Sequence, residues 1–128
     1  MVGGDMSLQF SRGDEEIAEL FKDIGIKRNA ARVLVLMFRD SDLTSRDMER
    51  ICDLRQPEVS IALTYLIKRK WVKKVNQYSE NKGRPVLIYH LGRSIDDILE
   101  ELKNEIVGDY DEKIKEIEKV KELLKEQN

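Results

Sequence analysis

Only two residues, Arg55 and Gln56, separate an apolar helical pattern that ends at Leu54 from another that opens on Pro57. Proline suits the first turn of a helix, where its missing N–H would have no intrahelical acceptor anyway. The second helix therefore starts at once, and the short link makes the two helices cross steeply. Upstream, Met48, Ile51, Cys52 and Leu54 supply the buried face of residues 45–54, with Thr44 and Asp47 spaced as N-cap and third residue of a capping box. Downstream, Val59, Ala62, Leu63, Leu66 and Ile67 recur at i, i+3, i+4 spacing and leave Glu58, Ser60, Ile61, Thr64 and Lys68 on the other side.

Around this pair the sequence predicts two earlier helices, a hairpin and a long final helix. Ile17, Leu20, Phe21 and Ile24 form the apolar face of a short helix from Asp14 to Gly25, with Asp14, Glu15 and Glu16 at its electropositive start. Residues 27–39 are apolar around most of the circumference, as in a helix at the centre of a small core. Trp71, Val72, Val75 and Tyr78 alternate imperfectly with polar residues and read as a strand. Residues 79–85 have turn chemistry, and residues 86–91 read as a second strand, so a hairpin carries Lys82 and Arg84 at its tip. Gly92 ends the strand, and Ser94 with Asp97 caps the last helix. The expected organisation is a flexible start over residues 1–13, a domain over 14–92 and a helical extension over 93–128. The fold class is mainly α with a small β-hairpin (α+β).

Composition narrows the function classes. At 128 residues there is room for one core plus an extension, and 38% charged with 6% aromatic residues leaves little material for a large cofactor pocket. The single Cys52 excludes an internal disulfide framework and a thiolate-rich metal cluster, and fits a reducing compartment, the cytoplasm. No stretch is long and apolar enough for a membrane span, and residues 1–10 lack the basic and apolar regions of a signal peptide. The one histidine, His90, sits mid-strand without sequence partners and reads as structural, and Gly83 and Gly92 are too isolated for a phosphate-cradling loop. No catalytic, metal or cofactor site is expected, and the chain does not read as an enzyme.

The net charge of −2 conceals three unlike segments. Residues 1–25 carry −4, residues 26–92 carry +7 and residues 93–128 carry −5. Within the middle block, residues 55–84 hold eight basic groups against only Glu58 and Glu80. A cationic stretch between acidic flanks is the electrostatic footprint of a polyanion-binding surface, the alternative being a solvated basic face.

Two stretches carry a resemblance to known proteins. Residues 56–66 read Gln-Pro-Glu-Val-Ser-Ile-Ala-Leu-Thr-Tyr-Leu, and Lys82-Gly83-Arg84-Pro85 leads on to Tyr89. With the order of elements, these resemble the winged helix-turn-helix of prokaryotic transcription regulators, in particular the ArsR, MarR and archaeal TrmB-like groups, over residues 27–92. The resemblance implies a recognition helix over residues 57–70 in a DNA major groove and a wing over residues 79–85 on the backbone or minor groove. Carried onto this chain it implicates Gln56, Pro57, Glu58, Ser60, Ile61, Thr64 and Lys68, then Lys82 and Arg84. Ile61 departs from the basic or polar residue common at its position; an apolar side chain there suits a thymine methyl. The residue chemistry points the same way. Gln56 fits a bidentate contact to adenine, Ser60 and Thr64 allow close approach, and Arg55, Lys68, Arg69 and Lys70 are placed for phosphates. Glu58 is open between accepting from cytosine and favouring the helix N-terminus.

From Ile95 the apolar series Ile95, Leu99, Leu102, Ile106, Tyr110, Ile114, Ile117, Val120 and Leu124 advances by a mean of about 3.6 residues, which predicts long helix pairing with little supercoil. Thirty helical residues extend about 45 Å, too far for the small domain to cover the stripe, so a second chain is expected there: a C-terminal dimerisation helix. Folding back on its own domain is the alternative, and Gly108 leaves open whether the helix is kinked or split. A twofold homodimer predicts a pseudo-palindromic double-stranded DNA operator with half-sites about 34 Å apart. The rival from another class is a winged-helix protein-interaction module or adaptor that does not touch DNA.

Overall fold

The computed structural model describes residues 9–77 and 86–127 of the chain. The element order is α1 (Arg12–Asp23), α2 (Arg28–Arg39), α3 (Ser45–Cys52), α4 (Gln56–Lys68), β1 (Val72–Gln77), β2 (Val86–Leu91) and α5 (Ile95–Glu126). The chain divides into two compact units, Met1–Arg93 and Ser94–Asn128.

The first unit is built around α2. Ala30 through Met37 are all buried, which is why this helix is apolar nearly all round. Helix α1 begins two residues before Asp14, because Ser11 caps it: the Ser11 hydroxyl accepts the Asp14 N–H at 3.0 Å and the Asp14 carboxylate accepts the Ser11 N–H at 2.9 Å. Its inward face also differs from the one predicted. Asp14, Ala18 and Phe21 are buried, whereas Ile17, Leu20 and Ile24 are 46–60% exposed. On the inward side Asp14 meets Arg39 of α2 at 2.6 Å and Glu15 meets Arg32 at 2.6 Å. Gly25, at φ +114°, then turns the chain in a conformation that side-chain-bearing residues rarely adopt.

Helix α3 starts on the capping box expected from Thr44 and Asp47, and stops where Asp53 takes a left-handed conformation. Two residues later Arg55 is the N-cap position of α4, with Pro57 in the first turn. Met48, Leu66 and Trp71 are fully buried and join α3, α4 and the start of β1 to the core. Strands β1 and β2 pair antiparallel from Val72 opposite Leu91 to Gln77 opposite Val86. Leu43, just before α3, exchanges both backbone hydrogen bonds with Tyr89 and ties the hairpin to the helix-turn-helix. The predicted tip at 79–85 lies outside the described residues. Helices followed by this hairpin make a winged helix-turn-helix. His90 lies on β2 with Nδ1 3.5 Å from an Asp42 carboxylate oxygen.

The second unit is one helix, continuous through Gly108. Ser94 caps it by accepting the Asp97 N–H at 3.0 Å. Ile98 and Leu102 are buried, and every described residue from Lys103 onward is exposed.

Candidate nucleic-acid interface

Helix α4 turns Val59, Ala62, Leu63 and Leu66 inward. At 100° per residue, Pro57, Ile61, Thr64 and Lys68 then share the opposite ridge, and all four are exposed. Ile61 is the most prominent of them, at 70% exposure. The ridge stands between two hollows. On one side Gln56, Ser60 and Thr64 line a space of about 240 Å³ with Ser45 of α3, Lys74 of β1 and Tyr89 of β2. On the other, Glu58, Ile61 and Tyr65 face Lys27, Arg28 and Asn29 across a more apolar space of about 360 Å³. The residues of α4 implicated by sequence thus fall on a ridge and two flanks, with the hydroxyls and the amide gathered beside the hairpin.

Several side chains have local partners that fix what they offer. Glu58 Oε1 accepts the Arg55 N–H at 2.8 Å, so its carboxylate closes the first turn of α4. Thr64 donates its hydroxyl to the Ser60 carbonyl at 2.9 Å, leaving its oxygen lone pairs and methyl group outward. Arg69, expected among the phosphate contacts, instead lies over the Trp71 ring at 4.1 Å, with its guanidinium 3.4 Å from the Tyr65 hydroxyl. Arg55, Lys68, Lys70, Lys73 and Lys74 remain exposed on α4 and the adjoining strand. Lys82 and Arg84 lie outside the described residues.

Ser45 and Lys74 were not singled out by the sequence, and Tyr89 only as part of the wing resemblance. The available signal was strand alternation: Lys74 is two residues beyond buried Val72 and opposite Tyr89, hence on the face of the hairpin that looks toward α4. Burial raises the Tyr89 hydroxyl above its ordinary pKa of 10.0, so it stays a neutral donor at physiological pH. Burial likewise pushes the Cys52 thiol up to about 12, away from nucleophilic or metal-binding chemistry. Among the described residues no group of three or more His, Cys, Asp or Glu side chains is placed to hold a metal ion. No helix there is long and apolar enough to cross a membrane.

The chain matches no protein-family model and no curated protein sequence. Its structure is similar to that of a possible transcriptional regulator from Methanosarcina mazei Go1, with a TM-score of 0.63 at 14% identity over 75% of this chain and 80% of that one. Pex from Synechococcus sp. strain PCC 7942 aligns over 69% of this chain and 88% of its own, with a TM-score of 0.46 at 22% identity. At such identity the likeness to the Methanosarcina protein is one of fold.

Proposed function

We propose that this chain is a sequence-specific double-stranded DNA-binding transcriptional regulator that acts as a homodimer. Helix α4 enters the major groove, and residues 79–85 reach the backbone or minor groove. The ridge of α4 carries the reading. A helix exposed along Pro57, Ile61, Thr64 and Lys68, flanked by Gln56 and Ser60 and rimmed by lysines, presents base-reading and phosphate-neutralising groups on one convex surface. Gln56 reads adenine, Ile61 meets a thymine methyl, and Arg55, Lys68, Lys82 and Arg84 neutralise phosphates. The Methanosarcina mazei neighbour, described as a possible transcriptional regulator, supports the reading through its fold. The operator is pseudo-palindromic, mirroring the twofold symmetry of the dimer.

Fluorescence anisotropy on duplex DNA tests this. If six to ten phosphates are neutralised per dimer, affinity falls by about 10³–10⁵ between 50 and 200 mM salt. Ala at Lys68, Lys82 or Arg84 weakens binding uniformly across sequences, while Gln56→Ala costs about 1–3 kcal/mol at a single base position and relaxes preference there. One observation favours the protein-interaction reading: the apolar hollow beside exposed Ile61 would accept a partner's side chain. A flat salt response, with binding indifferent to Lys68, decides for that rival.

A further inference from the structure

Helix α5 has a pattern that reads alike from both ends away from its centre, where Ile114 and Ile117 mirror Glu116 and Lys113. Ile106 and Leu124 stand nine residues to either side of Lys115, Val107 and Leu123 eight, and Tyr110 and Val120 five. All six are 39–67% exposed, so nothing in the single chain covers this stripe. About the same centre the charges invert. Glu105 is mirrored by Lys125, Asp109 by Lys121 and Asp111 by Lys119; the like-signed levels are Glu112 with Glu118, and Lys115 with itself.

We infer that α5 pairs with α5 of a second copy in antiparallel order, centred on Lys115; this rests on the homodimer reading and gives it an orientation. Antiparallel pairing sets Tyr110 against the smaller Val120 and Ile106 against Leu124, and brings three carboxylates level with three ammonium groups. Parallel in-register pairing sets Tyr110 against Tyr110 and every acidic residue level with its own copy. That arrangement is costly here, because residues 95–112 carry eight acidic side chains and one basic, whereas residues 113–126 carry five lysines and four glutamates. Centred on Lys115, antiparallel order sets residues 104–112, with four acidic side chains and no basic one, against residues 118–126, with three lysines and three glutamates. Specificity of this kind comes as much from excluding the wrong order as from favouring the right one.

Cysteine cross-linking of the intact chain tests the orientation. Ile106→Cys and Leu124→Cys replace exposed residues, and native Cys52 is fully buried. Each variant is oxidised alone and as an equimolar mixture, with products identified by mass and association followed by sedimentation velocity. The mixture is expected to give a disulfide between the two different variants, several-fold above either variant alone. In antiparallel order the two copies of residue 106 stand about 27 Å apart along the axis, far beyond disulfide reach. Self-cross-linking of Ile106→Cys that matches or exceeds the mixed product overturns the inference in favour of parallel order. A sedimenting dimer that cross-links in no combination overturns the α5 interface and leaves the homodimer standing. A monomer at every concentration overturns the homodimer reading itself and this inference with it.

Discussion

Arg32 is the side chain on which most of the domain's polar interior converges. It is buried, donates from Nε and Nη2 to the Cys52 carbonyl at 3.2 and 3.0 Å, meets Glu15 through Nη1, and lies 4.2 Å from the centre of the Phe10 ring. One guanidinium thereby satisfies the end of α3 and clamps α1. Arg32→Leu is expected to cost about 1–3 kcal/mol, because it strands the buried Cys52 carbonyl. Glu15→Gln is expected to cost under about 1 kcal/mol, since Glu15 is 53% exposed. Urea denaturation of both variants checks the ranking. The neighbouring thiol gives a pH prediction. Cys52 is raised from its ordinary 9.0 to about 12 on folding, so the unfolded chain releases this proton first. Its contribution to stability is complete below pH 9 and is lost as the pH climbs toward about 12. Denaturation midpoints of the native chain should therefore fall more steeply with pH over that range than those of Cys52→Ala.

At the scale of elements, the capping boxes show what a linear sequence can convey. Thr44 and Asp47 are three residues apart and sit just before an apolar pattern, so the start of α3 was legible; Thr44→Ala should cost about 1 kcal/mol in thermal or denaturant unfolding. Ser11 and Asp14 have the same spacing, yet Asp14 read only as a favourable charge on the helix dipole. Its actual partner, Arg39, is 25 residues away and reachable only through the fold. With Asp14, Ala18 and Phe21 inward, Ile17, Leu20 and Ile24 face outward. Helix α4 was read more completely, because Pro57 fixed its start and Val59, Ala62, Leu63 and Leu66 fixed its inward face. Strand alternation held the only signal that β1 would bring Lys74 beside Ser60 and Thr64, and nothing in the pattern conveyed that Arg69 would settle on Trp71. Ile61 tests the ridge. Ile61→Lys should leave stability within about 0.5 kcal/mol of the native chain, Ile61 being 70% exposed. It should also tighten binding to arbitrary duplex DNA and raise the salt slope by about one counterion per added contact.

Across the whole chain, charge is sorted by segment. The cationic stretch that includes α4 and β1 is flanked in sequence by an acidic start and by the acidic first half of α5. Acidic segments repel phosphate, so under the proposed function the distribution that favours DNA at α4 disfavours it at α1 and α5. This sorting was visible in the sequence once the charge was counted by segment, whereas the total of −2 hides it. The proposed function requires that duplex DNA meet the outward ridge of α4 and its hairpin side. Backbone amide NMR of the isotope-labelled full chain, titrated with a duplex of about two turns, tests this most directly. The predicted result is that the amides of Gln56, Ser60, Ile61, Thr64 and Lys74 shift with added DNA while those of α1 and the far half of α5 stay in place. Shifts confined to α1 or α5, or none at low salt, would contradict it.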